Sequence, residues 1–138
     1  MLSIGEGKES DAEHGHYSDR ELALMYLKSY RYDLALRHAL SEFNRRPANI
    51  DVNQTLAWVH FRRKEYNQAN KKIDVALKTN SKNPLLLFQA GLIKAKSGNV
   101  AEGKKLMMKS LAINEIISAD LKWEAREYLT PVDLMVLK

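Results

Sequence analysis

Residues 32–43, YDLALRHALSEF, open on an aromatic and carry an alanine three positions in. Thirty-four residues later, 66–77 read YNQANKKIDVAL, with aromatic and alanine in the same two places; thirty-four further on, 100–111 read VAEGKKLMMKSL, with valine and glycine there. Aligning the chain with itself at this interval brings other columns into step without a gap. Leu22, Leu56 and Ala90 coincide, and each precedes a small residue, Ala23, Ala57 or Gly91. Ala35, Ala69 and Gly103 form a second small column, and Phe43, Leu77 and Leu111 a large apolar one. A fixed period of this size marks a repeat architecture, whose units stack because none can bury its apolar face alone.

Within each unit the spacing is helical. Leu22, Ala23, Tyr26 and Leu27 recur at three- and four-residue intervals, as do Leu56, Ala57 and His60. A polar turn follows (SYRY, RKEY or SGNV), with Gly98 suited to ending a helix. A second helix runs through Ala35, Ala39 and Phe43, then Ala69, Ile73 and Leu77, then Gly103, Met107 and Leu111. Polar stretches close it, and Pro47 and Pro84 cannot continue a helix interior, since proline lacks the N–H and clashes with the preceding turn. Each unit is therefore a helix–turn–helix hairpin. The small columns belong where its two helices cross, so Ala23 is expected to face Ala35, Ala57 to face Ala69 and Gly91 to face Gly103. Glycine costs about 1 kcal/mol against alanine inside a helix, so the glycine pair predicts an unusually tight third hairpin.

The 138 residues suit a single domain with a real core, and a chain 45% hydrophobic and 28% charged is of globular type. No apolar run approaches the roughly 20 residues of a membrane span, and the N-terminus does not read as a signal peptide. Without cysteines there is no disulfide or thiol chemistry, and the compartment stays undetermined. The net charge of +5 is uneven: residues 1–17 set Lys8 against Glu6, Glu9, Asp11 and Glu13, ahead of a basic body. That asymmetry fits an acidic partner, or a leader folding back onto the body.

The period and columns resemble the tetratricopeptide repeat (TPR) over residues 17–117. Its Leu-Gly pair stands here as Leu22-Ala23, Leu56-Ala57 and Ala90-Gly91, its tyrosine as Tyr26, His60 and Lys94, and its alanine as Ala35, Ala69 and Gly103. The first tryptophan is replaced by Asp19, Asn53 and Leu87, and the proline survives only as Pro47. The resemblance implies an all-α fold, a right-handed α-α superhelix of three hairpins (16–49, 50–83, 84–117). A flexible acidic leader (1–15) precedes them and a capping helix and tail (118–138) follow. In the cap, Ser118 is the expected N-cap of a helix that Pro131 ends, and the apolar tail VDLMVLK is expected to form a short last helix packed on it.

In this family the first helix of each hairpin lines a concave face. Carried along the period, the lining rows are Leu24, Trp58 and Leu92; Leu27, Phe61 and Ala95; and Arg20, Gln54 and Phe88. Beside them runs a basic column, Lys28, Arg62 and Lys96. Aromatic and apolar side chains edged with cations suit a peptide or partner protein with apolar anchors and acidic groups. The family's clamp for a terminal carboxylate needs lysine, asparagine and arginine at sites that here hold Arg20, Leu24, Thr55, Leu85 and Gln89.

The role implied is a non-enzymatic interaction scaffold without cofactors, and no phosphate-binding or nucleophile-elbow motif opposes it. Only DAEHGH looks catalytic: His14 and His16 with Asp11 or Glu13 are weak candidates for a metal. A second reading has the leader or tail fill the groove, in the same chain or in another copy. A third has the lysines and arginines, among them Lys71, Lys72, Arg45 and Arg46, contact nucleic acid, although no aromatic ladder accompanies them.

Overall fold

The computed structural model describes residues 17–114 and 116–136; the leader 1–15, with His14, and His16 lie outside the described residues. Among the described residues there are eight α-helices and no strand. Three hairpins follow one another: α1 (Asp19–Lys28) with α2 (Tyr32–Arg45), α3 (Ile50–Arg62) with α4 (Tyr66–Leu77), and α5 (Pro84–Lys96) with α6 (Val100–Ile113). A short α7 (Ala119–Glu124), a 3-10 turn (Ala125–Glu127) and α8 (Pro131–Val136) complete the chain. The result is a right-handed superhelix of helical hairpins.

The first helix of every hairpin starts at a side-chain cap that satisfies an otherwise orphaned N–H. Ser18 accepts from the Glu21 N–H at 3.0 Å while Glu21 accepts from the Ser18 N–H at 2.8 Å, a reciprocal capping box. Asn49 and Asn83 accept from the N–H groups of Val52 and Leu86, both at 3.0 Å. Pro84 occupies the first position of α5, where the missing N–H breaks no helical bond.

The turn inside the hairpin is built the same way three times. Tyr30, Lys64 and Gly98 adopt left-handed φ values of 61°, 65° and 105°. The next N–H reaches back five residues in each case: Arg31 to Tyr26 O at 2.8 Å, Glu65 to His60 O at 2.8 Å, and Asn99 to Lys94 O at 2.9 Å. These are Schellman ends, which turn the chain sharply while satisfying the last carbonyls. Only the third repeat uses glycine; Tyr30 and Lys64 bear the left-handed strain, about 1–2 kcal/mol each.

The crossings are as close as the small columns require. Ala23, Ala35, Ala57 and Ala69 are fully enclosed. In the third hairpin a methyl on Gly91 would lie 2.6 Å from the Gly103 carbonyl oxygen, and one on Gly103 would lie 2.5 Å from that of Gly91. Backbone touches backbone there. The core falls into two clusters. Ala23, Ala35, Ala39, Leu56 and Val59 form the first, under the front hairpin. The second runs from Ala57 and Trp58 through Ile73, Phe88, Leu92 and Met107 to Leu121, Ala125 and Leu129 of the C-terminal segment.

Helix α5 is buried on every side, with Leu86 through Ala95 all enclosed. A helix apolar all round (PLLLFQAGLIKAK) needs cover all round, and the C-terminal segment shares its cluster. Two expectations for that segment are corrected. The cap helix ends in the 3-10 turn before Pro131, which opens the expected last helix, α8, rather than closing the cap, at a position proline favours. Three apolar side chains of the tail stay open rather than packing down: Val132 is 68% exposed, Met135 69% and Leu134 39%.

Candidate functional site

The expected concave rows close progressively along the array. In the first repeat Leu24, Leu27 and Arg20 are half-buried and Lys28 is exposed. In the second, Gln54 and Arg62 are half-buried while Trp58 and Phe61 are nearly enclosed, at 8% and 6% exposure. In the third, Phe88 and Leu92 have essentially no exposure (0% and 1%), and only Lys96 of that repeat's expected set reaches solvent. Phe88 and Leu92 were expected on an open face; they lie inside the cluster shared with Leu121, Ala125 and Leu129, so that face is covered by the chain itself.

What stays open is a basin of about 570 Å³ between the front of the array and the C-terminal segment. Leu27 and Lys28 line it from α1, Tyr30 from the first turn, Tyr32 from the start of α2, and Trp58 and Arg62 from α3. Its far wall is Asp120, Leu121, Trp123 and Glu124. The Trp58 ring stacks on Phe61, with centroids 4.7 Å apart and planes 14° from parallel. The Arg62 guanidinium lies 4.6 Å from the Trp58 centroid, a cation on an aromatic face. It also donates to both Glu124 carboxylate oxygens, each at 2.7 Å. Burial pushes the Arg62 group down, but Glu124 outweighs it and keeps the guanidinium above its ordinary range.

One repeat on, Lys96 Nζ donates to Glu127 at 3.2 Å, and that hydrogen bond raises the lysine above its ordinary value. Polar ties between neighbouring first helices flank the basin: Arg20 Nε donates to Thr55 at 3.2 Å, and the Gln54 amide to Gln89 Oε1 at 2.9 Å. Trp123, 65% exposed, does not cover Trp58; the Arg126 guanidinium lies over its ring instead.

Sequence reading missed Tyr30, Tyr32, Asp120, Trp123 and Glu124 as lining. Tyr30 belongs to the turn, which was read only as a connector, and Tyr32, which opens α2, was read only as a repeat column. The cap carboxylates had a signal: Asp120, Glu124 and Glu127 recur at helical spacing opposite a column of cations.

A second polar cluster lies away from the basin. Asp19 accepts from Ser41 at 2.9 Å and from Arg45 at 2.7 Å, and pairs with His38 Nδ1 at 2.8 Å. Burial raises the Asp19 carboxyl, but these hydrogen bonds outweigh it and hold the group below the usual range. Hydroxyl and imidazole both address the same carboxylate, so the histidine does not stand between serine and acid as a relay demands. Among the described residues no group of three or more histidine, cysteine or carboxylate side chains could hold a metal. No helix there is long and apolar enough to cross a membrane.

No protein-family model and no curated protein matches the sequence. Solved structures do. The first TPR of Spaghetti (RPAP3) bound to the HSP90 peptide SRMEEVD superposes with a TM-score of 0.66 at 20% identity, over 80% of this chain and 86% of that one. The first TPR domain of human RPAP3, solved by NMR, gives 0.67 at 19% identity, over 90% and 95%. At this identity the likeness speaks of architecture, and the architecture is that of a tetratricopeptide-repeat domain.

Proposed function

We propose that this chain is a non-enzymatic protein-interaction scaffold that holds a peptide or a partner segment on its concave face. The observation that carries the reading is the basin beside Trp58, where Leu27, Tyr30, Tyr32 and Leu121 stand beside the cations Lys28 and Arg62 and the acids Asp120 and Glu124. Such a site takes a ligand with apolar anchors and acidic groups, with orientation set by the charges. A structural neighbour bound to an acidic peptide offers a precedent on the same fold. Within this proposal Arg20, Leu24, Leu27, Lys28, Gln54, Trp58, Phe61, Arg62 and Lys96 form the partner face. Phe88 and Leu92 join it only if the C-terminal segment lifts. Residues 16–117 supply the repeats, 118–138 the cap and tail, and 1–15 the acidic leader.

Nucleic-acid binding is the weaker reading, because most of the cations it needs already hold partners. Arg45 pairs with Asp19 and Glu42, Arg46 with Glu42, Arg63 with Asp33 and Glu65, and Lys104 with Asp133. Lys72 lies over the Phe43 ring. Self-association has one observation in its favour, the exposed Val132 and Met135 of α8. Dissociation of an oligomer by a V132S/M135S variant in size-exclusion chromatography would support it.

Affinity capture from a lysate, with wild type and a Lys28→Glu/Tyr30→Asn variant as baits, tests the main reading. Both positions are exposed, and asparagine tolerates the left-handed conformation at 30, so the core is untouched. Proteins retained by wild type and lost by the variant support the concave site. Equal recovery by both baits, or recovery only of nucleic acid released by salt, overturns it.

A further inference from the structure

The Lys28, Arg62 and Lys96 column places one cation on each successive repeat. The C-terminal segment answers it with acids. Asp120 lines the basin together with Lys28, Glu124 grips Arg62 with both oxygens, and Glu127 takes Lys96. Spacings of four and three residues set these acids in one stripe along α7 and its 3-10 continuation. Leu121, Ala125 and Leu129 form the adjoining stripe, buried with Trp58, Phe61, Phe88 and Leu92. The segment therefore runs along the face from the first repeat toward the third, with acids against cations and its leucines in the cluster that holds the aromatics.

A helix that merely ends a stack needs an apolar face toward the last hairpin and a polar face to solvent. This one reaches past the whole third hairpin, joining residues 62 positions apart. The Arg62–Glu124 pair is bidentate and only half open, with side chains 27% and 30% exposed, a geometry in which an ion pair holds a segment as well as orienting it.

Resting on the reading of the concave face as the partner site, we propose that residues 118–129 act as an intramolecular ligand. The partner segment then shares their chemistry: an amphipathic acidic helix with a leucine and glutamates three and six residues after it, which must displace the chain's own copy. Apparent affinity for any such segment falls with the fraction of molecules left in the open state.

A labelled peptide of residues 116–130 (IISADLKWEAREYLT) is the probe, read by fluorescence anisotropy against full-length protein. The wild type is compared with an E124Q/E127Q variant, with fold checked by circular dichroism and opening by hydrogen exchange across 118–129. Faster exchange in that segment is expected, with the probe bound roughly tenfold or more tighter than by wild type. Adding R62Q to the variant, or glutamines at 124 and 127 of the probe, should each cost at least about tenfold of that binding. Unchanged exchange overturns the proposal, because the carboxylates then do not hold the segment. An opened variant that binds the glutamine probe as well as the acidic one also overturns it, but leaves the concave partner site standing. An opened variant that binds neither probe sinks both.

Discussion

Gly91→Ala sets two known effects against each other, and the structure decides the sign. Alanine is favoured over glycine by about 1 kcal/mol in a helix interior, so propensity alone predicts stabilisation. Against this, the new methyl would lie 2.6 Å from the Gly103 carbonyl oxygen and 3.0 Å from the Met107 nitrogen, and would overlap the Met107 side chain. Carbon contacts are comfortable near 3.5–4.0 Å, so α5 and α6 must part by about 0.5–1 Å. A gap of that size forfeits roughly a quarter to a half of each dispersion contact along the seam. Overpacking of this kind costs about 1–3 kcal/mol, toward the upper end where the obstacle is backbone that cannot rotate away. The net expectation is a loss of about 1–2 kcal/mol. Gly103→Ala should behave alike, its methyl falling 2.5 Å from Gly91 O and 2.7 Å from Ala95 N. Both changes demand the same separation, so the double variant should cost less than the sum of the singles. Urea unfolding followed by far-UV circular dichroism measures this, provided the slope is unchanged between variants. Stabilisation by Gly91→Ala, or strict additivity in the double variant, would refute the claim that the backbones touch.

Opposite signs are expected at the left-handed turn positions. Gly98→Ala meets no steric neighbour and should lose about 1–2 kcal/mol through φ alone, whereas Lys64→Gly should gain up to about 1 kcal/mol, both read from urea midpoints. Trp58→Ala should destabilise by about 3–5 kcal/mol, because the ring is enclosed and stacked, so its loss would register as unfolding before any loss of binding. Asp19 and Glu65 have folded pKa values held below their ordinary 3.8 and 4.5, Glu65 by hydrogen bonds from Arg63 and then His60 against some burial. A depressed carboxylate stabilises the fold above its unfolded pKa and loses that contribution as pH falls through the folded value. The thermal midpoint should therefore drop below about pH 4, and less so in an Asp19→Asn/Glu65→Gln variant.

Hairpins, crossings and turns were legible in the sequence because each depends on residues within one period. Small residues at 23 and 35, or at 91 and 103, announce a close approach whatever else the chain does. Phe88 and Leu92 were misjudged for the complementary reason. Their row matched that of Leu24 and Trp58 by register, but their exposure depends on Leu121, Ala125 and Leu129, which belong to no repeat. The warning lay in α5 itself, since a helix so largely apolar needs cover on nearly every side, and only Gln89 of it lines the basin. Tyr30 and Tyr32 were missed because periodicity identifies where a turn or a helix start falls and not where its side chains project. The Arg62–Glu124 pair lies beyond any local pattern, although a column of cations beside apolar rows already asks for a counter-charge.

The three matched turns, with left-handed residues at 30, 64 and 98 and the same five-residue back-bond, have a consequence for how such a molecule can change. Each turn hands the chain to the next helix at a set angle using main-chain atoms alone. The angle within each hairpin is thus written into the backbone, and exposed inner side chains such as Lys28 carry no share in producing it. Substitution there can retune what is recognised without warping the surface that does the recognising, so shape and selectivity are free to evolve on separate schedules.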